Sequence, residues 1–273
     1  MRGTAWSRRR ITSISFGRST RFLGALGWPQ RLADHITLAP LVRMRQEFDR
    51  YACVRPARLL PGVRSPLATP GTIDMVVIRE NSEGEYVTCG GRFKQGQPDE
   101  FAVQTSLHSR KGVERVLRFG FDLARTRRKK LTMITKSNAL KFGMVMWDEV
   151  LEAVRGDYGD VEAERMHVDA AAMDFVRRPA RFDVVVASNL FGDILTDLAG
   201  AIIGGLGLAP SANINPARQY PSMFEPVHGS APDIVGKGIA NPVAAIVSGA
   251  MMLEWLGETD TAAPIFAAVE TAL

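Results

Sequence analysis

The sequence has few cysteines and no long hydrophobic run, which argues against a disulfide-stabilised protein and against a transmembrane protein. Only Cys53 and Cys89 occur in 273 residues, which is too few for a disulfide framework and is typical of a reducing compartment. We therefore predict two unpaired thiols and a cytoplasmic location. No window approaches eighteen apolar residues without a charge or a helix-breaking pair, so the sequence does not support a transmembrane span.

Acidic residues are absent before Asp34, and this absence concentrates positive charge at one end of the chain. The formal net charge is +5, with 34 basic and 29 acidic residues, and six of the basic ones are arginines within residues 1–21. The remainder is close to neutral and does not indicate a nucleic-acid groove. Residues 1–21 are interpreted as a disordered leader. Either an organelle transit peptide or a misassigned start has this composition.

Strand and helix patterns alternate through the middle of the chain. Short β-branched runs predict strands over residues 73–78, 131–135, 161–167 and 182–187. Helical spacing of apolar residues predicts helices over residues 113–124, 147–154 and 191–198, and another that opens at Asp169. We interpret the basic run at residues 125–130 as a solvated helix end. This alternation predicts an α/β fold, in which reactive groups gather at strand ends.

Two carboxylates are spaced so that they lie on one face of a helix. Asp193 and Asp197 are four residues apart, with no lysine or arginine between them, so they repel each other unless a cation lies between them. Hard cations such as Mg²⁺ or Mn²⁺ take carboxylate oxygens. The alternative is two solvated acids. Asp169 lies at a strand-to-helix junction and is either a helix N-cap or a third ligand.

Other side chains suit acid-base chemistry and carboxylate binding. A lysine such as Lys136 near a divalent cation has a lowered pKa and can act as a general base, while the phenol of Tyr86 can act as the acid. The guanidinium groups of Arg45, Arg55 and Arg79 can clamp carboxylates in a bidentate manner. Taken singly, Lys136 is more often a surface lysine, Tyr86 a core tyrosine and each arginine a solvated side chain.

A loop rich in glycine and proline, residues 225–233, lets backbone N–H groups approach a ligand closely. It is not a Rossmann fingerprint. The nearest candidate, Gly205-Leu206-Gly207, lacks the third glycine and the acid that follows at the proper distance. A dinucleotide must therefore be held in another way.

Taken together, five segments resemble the motifs of the decarboxylating 2-hydroxy-acid dehydrogenases, the family of isopropylmalate, isocitrate and tartrate or D-malate dehydrogenases. They occur in the family's order, at residues 79–86, 135–138, 167–169, 188–197 and 228–233. The similarity runs from about Phe22 to Gly257. It implies an isopropylmalate-dehydrogenase-like two-domain α/β fold with non-Rossmann dinucleotide binding.

The resemblance also implies a division into domains. Residues 22–50 and 204–273 would form a discontinuous cofactor-side domain, and residues 51–203 a domain for substrate, metal and dimerisation. The family opens with a core strand and a Gly-Asp-Gly-Ile-Gly loop, and neither precedes Phe22. We therefore expect the first core strand to be missing, the chain to be truncated at both ends, and unpaired backbone edges to be exposed.

The resemblance assigns roles to the candidate residues. Substrate carboxylates would be held by Arg45, Arg55 and Arg79, with Asn138 beside them. Tyr86 and Lys136 would be the acid and the base. The ligands of Mg²⁺ or Mn²⁺ would be Asp169, Asp193 and Asp197. The adenosine half of NAD would be held by His228, Gly229, Ser230, Ala231, Asp233 and Asn241.

Two further implications concern the cofactor and the assembly. The carboxylate of Asp233 can accept from the ribose hydroxyls of NAD and would repel the extra phosphate of NADP. In the family the active site is completed across a homodimer interface, so Lys136 and Asp169 would come from the partner subunit. Dimerisation would then be a condition of catalysis.

Three features of the sequence narrow the choice of substrate. Residues 79–86 and 210–216 resemble the tartrate/D-malate branch, and Leu38 stands where isopropylmalate enzymes carry a glutamate. Leu41 and Val42 leave an apolar surface, which keeps 3-isopropylmalate as an alternative. The predicted function is therefore NAD-dependent oxidation, with decarboxylation where the chemistry allows it, of a small 2-hydroxy dicarboxylic acid. A non-catalytic fragment or regulatory subunit that pairs with a complete paralogue is the alternative of another class.

Overall fold

The computed structural model describes residues 34–273, so the predicted leader lies outside the described part. The helices are α1 Asp34–Glu47, α2 Arg110–Arg125, α3 Gly143–Arg155, α4 Val168–Arg177, α5 Asn189–Ile202, α6 Val243–Trp255 and α7 Thr259–Ala272. The strands are β1 Ala52–Arg58, β2 Asp74–Glu80, β3 Gly90–Phe93, β4 Phe101–Gln104, β5 Lys130–Thr135, β6 Glu162–His167, β7 Val184–Ala187, β8 Pro210–Ile214 and β9 Met223–Pro226. Within residues 34–273 no helix is both long and apolar enough to cross a bilayer.

Seven strands form one mixed sheet in the order β6-β5-β7-β2-β1-β8-β9. The first four are parallel to one another, whereas β1, β8 and β9 join through antiparallel pairs. Strands β3 and β4 form a separate antiparallel hairpin. The predicted α/β class is confirmed. The sheet continues from β1 into β8 and β9, across the boundary expected at residue 204, and the division into domains stays a prediction.

Helices cover both faces of the central strands, which explains why those strands read as continuous apolar runs. One core lies between the sheet and α2 and α3, where Leu117, Phe121 and Trp147 are fully buried. The other core lies beneath α4 and α5 and contains Phe175 and Leu195. Both faces of the central strands are therefore enclosed.

Strand periodicity determines which side chains reach the second core. Successive residues of a strand point to opposite faces, and Met75 and Val77 of β2 pack in the core beneath α4 and α5. Arg79 continues this row at the carboxyl end of β2. On β1, Ala57 packs in the same core, and Arg55 lies two residues earlier in the same row. The side chains of Arg55 and Arg79 therefore point toward α5.

The predicted helices and strands of the middle region are confirmed, with shifts at their ends. Helix α5 begins at Asn189 rather than residue 191, and α3 begins at Gly143 rather than residue 147. The two predicted free thiols are also confirmed, since Cys53 and Cys89 are unpaired.

The interpretation of residues 125–130 as a merely solvated helix end is wrong for two arginines. Asp183, whose side chain is 1% exposed, accepts from Arg127 Nε and from the backbone N–H of Arg128, each at 2.8 Å. Arg127 also donates to Asp74 Oδ1 at 2.8 Å. These arginines bind the starts of β2 and β7 because a buried carboxylate needs charged or polar donors.

Asp183→Asn tests this network. We expect it to lower the free energy of unfolding by about 2 to 3 kcal/mol, because Arg127 loses its buried anionic partner. Asp160→Asn is the matched control, since Asp160 pairs with Arg125 where both side chains are 41 to 42% exposed and solvent screens the charges. Urea unfolding measures both variants. Equal and small effects would contradict a stabilising role for the buried network.

Candidate active site

Three residues predicted from separate segments converge on one carboxylate of α5. Arg79 Nη1 donates to Asp193 Oδ1, and Arg55 Nη1 donates to the same oxygen at 3.2 Å. Tyr86 Oη donates to Asp193 Oδ2 at 2.8 Å. Asp193 is therefore the centre of the predicted substrate and acid residues, and its two oxygens have different partners.

Two residues that the sequence analysis did not single out position Arg79. Asn189 Oδ1 accepts from Arg79 Nε at 2.8 Å, and Asn189 Nδ2 donates to the backbone oxygen of Glu83 at 2.7 Å. A Cβ on Gly192 would lie 2.7 Å from Arg79 Cβ, so the absence of a side chain lets the helix approach the strand. The available signal was a glycine directly before Asp193 in a helical stretch.

The two aspartates of α5 have unequal charge compensation. Burial alone would raise the pKa of Asp193, but Arg79, Arg55 and the phenol of Tyr86 hold it below its usual range. Burial and the neighbouring charge of Asp193 raise the pKa of Asp197, which the arginines only partly offset. Asp197 is thus a carboxylate whose charge the arginines compensate only in part, which suits binding of a positive ion.

Tyr86 is protonated under ordinary conditions. Burial and the hydrogen bond to Asp193 raise its pKa above the usual value, since both disfavour a phenolate. The guanidinium carbon of Arg79 lies 5.1 Å from the centre of the Tyr86 ring. A neutral phenol next to a cation can donate a proton, as expected of the predicted acid.

The predicted substrate arginines Arg45, Arg55 and Arg79 are buried, so their interpretation as solvated side chains is wrong. Arg45 and Arg55 are 5% and 6% exposed, and their Nε atoms are buried without a partner in the structure. Cys53 is buried among these groups. Burial alone would raise the pKa of its thiol, but Arg55, Arg45 and Arg79 lower it. This concentration of positive charge, with unused donors, fits a small anion with two carboxylates.

Lys136 and Asp169 pair with each other, apart from the residues around Asp193. Lys136 Nζ lies 2.8 Å from Asp169 Oδ1, and this bond lowers the pKa of Asp169. The N-cap interpretation of Asp169 is wrong, because His167 occupies the N-cap position of α4. Within the described part of one chain, no three His, Cys, Asp or Glu side chains are arranged to hold a metal ion. Asp169 therefore does not join Asp193 and Asp197 in a single chain.

Asn138 is exposed and lines an open cavity of about 800 Å³ beyond the carboxyl ends of β5 and β6. Thr135 Oγ1, Asp148 Oδ1 and His167 Nδ1, which belong to residues that line this cavity, are buried without partners in the structure. The structure thus places Asn138 on the side of Lys136 and not beside the arginines.

The predicted cofactor segment follows β9 at the edge of the sheet. His228 Nδ1 lies 2.9 Å from the backbone oxygen of Gly229, and Ala231 has a positive φ of 43°. Asn241 Oδ1 accepts from the backbone N–H of Val243 at 3.0 Å, so Asn241 caps the start of α6. Two further predicted residues of this segment are exposed, namely Ser230 and Asp233.

An ion pair connects strand β9, which directly precedes the predicted cofactor segment, to one of the three arginines. Arg45 Nη2 lies 3.4 Å from Glu225 Oε1 of β9, and Asn213 Nδ2 donates to the same oxygen at 3.0 Å. Of the glycines in the rejected Rossmann candidate, Gly207 packs against Asn241, where an added Cβ would lie 2.8 Å from Asn241 Cβ. Gly207 therefore has a packing role.

These features define an α/β protein in which buried arginines lie beside the acidic face of a helix. The sequence pattern of the family described as "Isocitrate/isopropylmalate dehydrogenase" matches residues 16–273. The chain belongs to this family, and the predicted family is confirmed. The match begins inside the predicted leader, at residues that lie outside the described part of the structure.

Relatives with established names support the same assignment. The chain is 54% identical over 243 residues to "D-malate dehydrogenase [decarboxylating]" of Escherichia coli (strain K12), covering 88% of this chain and 67% of that protein. It is 52% identical over 244 residues to "Tartrate dehydrogenase/decarboxylase" of Pseudomonas putida, again covering 88% and 67%. These relatives are enzymes by name, which confirms the predicted class of dehydrogenase at the level of the family.

A solved structure is similar over most of the chain. Isocitrate dehydrogenase from Methylococcus capsulatus matches with a TM-score of 0.79 and 44% sequence identity, covering 84% of this chain and 66% of that one. The chain therefore spans about two thirds of the length of the relatives it matches.

Gly192→Ala tests the close approach of α5 to Arg79. We expect it to lower the free energy of unfolding by about 1 to 3 kcal/mol, because the new Cβ would meet Arg79 Cβ at 2.7 Å and its Cα at 3.1 Å. Gly249→Ala in α6 is the matched control, since nothing lies within 4 Å of its added Cβ. That variant should be neutral or more stable by up to about 1 kcal/mol. Thermal unfolding measures the stability of both variants. An equal change in stability for the two variants would refute the packing role of Gly192.

Proposed function

We propose that this chain is an NAD-dependent dehydrogenase that oxidises a small 2-hydroxy dicarboxylic acid, with tartrate or D-malate as substrate and a divalent metal ion bound. The observation that carries the proposal is the convergence of Arg55, Arg79 and Tyr86 on Asp193. The names of the relatives favour tartrate and D-malate over 3-isopropylmalate.

The arginines supply the substrate site. The buried Nε atoms of Arg45 and Arg55 lack partners, and a buried donor without an acceptor is destabilising until a ligand supplies one. A dicarboxylate brings two planar anions of the shape that guanidinium groups bind in pairs. A monocarboxylic 2-hydroxy acid would leave part of this positive charge uncompensated.

The aspartates of α5 fit a hard cation, provided that Asp169 of the partner subunit completes the set. The arginines compensate the charge of Asp197 only in part, and carboxylate oxygens are the ligands that Mg²⁺ and Mn²⁺ prefer. When bound, the cation polarises the oxygen at C2 of the substrate and the nicotinamide accepts the hydride.

The chain's own residues move the protons. The amine of Lys136 takes the proton from the C2 hydroxyl as the hydride leaves, which produces a 2-keto acid. Where a carboxylate lies β to the new carbonyl, CO₂ can leave and the electron pair of the broken C–C bond gives an enolate. Tyr86, which is kept protonated by burial and by Asp193, then donates its proton to the enolate carbon, which gives the ketone and leaves a tyrosinate.

NAD would be held along the loop after β9, by His228, Ala231 and Asn241 with their neighbours. The positive φ of Ala231 turns the backbone within this loop. The exposed carboxylate of Asp233 is free of the constraint of burial and can accept from ribose hydroxyls. The same charge disfavours the phosphate of NADP.

Exposed apolar side chains support a homodimer with shared sites. Phe93 and Phe101 stack at 4.8 Å on the hairpin β3–β4 and are 50% and 54% exposed. Met173 of α4 and Ile194 of α5 are 51% and 58% exposed, beside Asp169 and Asp193 in sequence. A second copy that covers these surfaces would carry its Lys136 and Asp169 toward the Asp193 of the first.

Formation of NADH from D-malate, tartrate and 3-isopropylmalate, with Mn²⁺ present, tests the proposed function. We expect turnover of D-malate or tartrate, and a loss of about 100-fold or more in kcat/KM for Arg79→Lys, which cannot keep the forked donation to Asn189 and Asp193. Absence of turnover by the purified chain would contradict the proposal. Co-purification with a longer paralogue would then favour a non-catalytic subunit.

Mixing two inactive variants tests whether the site is shared between subunits. Arg79→Ala and Lys136→Ala each remove one half of the proposed site. Random exchange gives hybrid dimers in half of the population, each with one intact site of two, so about a quarter of the original activity should return. If each subunit held a complete site, the mixture would remain inactive.

A further inference from the structure

Three alternate residues at the base of the hairpin β3–β4 face the loop that carries Tyr86. Gln104, Ser106 and His108 are spaced by two, and alternate residues of an extended chain share a face. The backbone here is held against the loop by paired hydrogen bonds between Gly84 and Leu107, at 2.7 and 3.1 Å. We call this set the 104–108 row.

Gln104 binds the chain on both sides of Tyr86. Its Nε2 donates to the backbone oxygen of Glu85 at 3.0 Å and to that of Val87 at 3.2 Å. One side chain thus limits the backbone rotation that would carry the Tyr86 phenol away from Asp193.

His108 has one tautomer that satisfies its contacts. Trp147 Nε1 lies 3.2 Å from His108 Nδ1, and an indole N–H can only donate, so Nδ1 is the acceptor. The proton of the neutral ring is therefore on Nε2, which donates to Ser106 Oγ at 2.7 Å. Ser106 then donates to Glu85 Oε1 at 3.1 Å. The hydrogen bonds run in one direction from Trp147 to the residue before Tyr86.

The other end of this chain of hydrogen bonds is rigid. Trp147 is fully buried in the core beneath α3, and its ring meets that of His108 edge to face at 6.1 Å between centres. A Cβ on Gly143 would lie 2.7 Å from His108 Cδ2, so the imidazole is packed closely against the start of α3. His108 thus connects the loop that carries Tyr86 to the core.

We propose that the 104–108 row is a positioning element that holds Tyr86 against Asp193, with His108 as its anchor on α3. The inference deepens the proposed function and depends on Tyr86 acting there as the acid. His108 is a positioning residue in this account, since it acts on Tyr86 through Ser106 and Glu85.

The row works only while His108 is neutral. Burial lowers the pKa of His108 below its ordinary value of 6.5, while the charges of Glu85 and Glu83 oppose that shift in part. From α3 the ring is faced by Gly143 and Trp147, which carry no charge. A second proton on Nδ1 would make that nitrogen a donor that faces the indole N–H of Trp147, and the hydrogen bond between the two side chains would be lost. The row is therefore intact near neutral pH and is lost as the pH falls below the lowered pKa.

Steady-state kinetics of three variants test the positioning role. His108→Ala should lower kcat about 10-fold and leave KM for the dicarboxylate within about 2-fold, because Arg55 and Arg79 lie on strands of the sheet and stay in place while Tyr86 is displaced. His108→Gln keeps a donor to Ser106 and does not titrate, so it should restore most of kcat and remove the loss of activity on the acid side. Thr105→Ala, on the opposite face of the same segment, is the control and should behave as the original protein.

A spectroscopic measurement keeps the test independent of turnover. The indole N–H signal of Trp147, assigned with Trp147→Phe, should shift between about pH 7 and pH 5 in the original protein and stay fixed in His108→Gln. Unchanged kcat in His108→Ala, or a Trp147 signal that ignores both pH and the substitution, would overturn the proposal. If no variant turns over substrate but the Trp147 signal titrates as described, the proposed function fails while the hydrogen-bonded row stands.

Discussion

The contact of two buried arginines with one carboxylate is the constraint on which the site depends. Arg79 is 2% and Arg55 6% exposed, and charges this deep destabilise a fold unless an anion compensates them. Asp193 supplies that anion, so the docking of α5 against β1 and β2 and the assembly of the site are one event. Arg45 pairs with Glu225, so Asp193 faces Arg55 and Arg79, and one carboxylate beside these two guanidinium groups leaves a positive charge in excess. A carboxylate of the proposed substrate would compensate that charge.

The sequence predicted the parallel half of the sheet because its strands are covered on both faces and read as apolar runs. It did not predict β1 or β8, and the reason is physical. The buried face of β1 carries Cys53 and Arg55, and that of β8 carries Ser211 and Asn213, all at most 6% exposed. A strand whose inward face is the binding site shows no hydrophobic alternation. The part of the fold that forms the site was thus the part that periodicity could not detect.

Residue types at the site were predictable, but their grouping was not. Motif resemblance identified Tyr86, Lys136 and the aspartates, since each lies within a recognisable motif of the family. Nothing local indicates that Lys136 pairs with Asp169, because 33 residues separate them and only the parallel pairing of β5 with β6 brings them together. Asn189 and Gly192 were overlooked for a related reason, as their roles exist only when α5 lies across Arg79.

The hairpin β3–β4 connects assembly with acid-base chemistry. Its outer residues Phe93 and Phe101 are half exposed, while the 104–108 row at its base holds the loop of Tyr86 and is anchored on Trp147. Hydrogen bonds between exposed residues open readily when the segment that carries them moves. A second copy that packs on the two phenylalanines would restrict the hairpin and, through Gln104 and Ser106, the position of Tyr86. Dimerisation would then hold Tyr86 of one subunit in position through the same contact that brings Lys136 of the partner subunit into its active site.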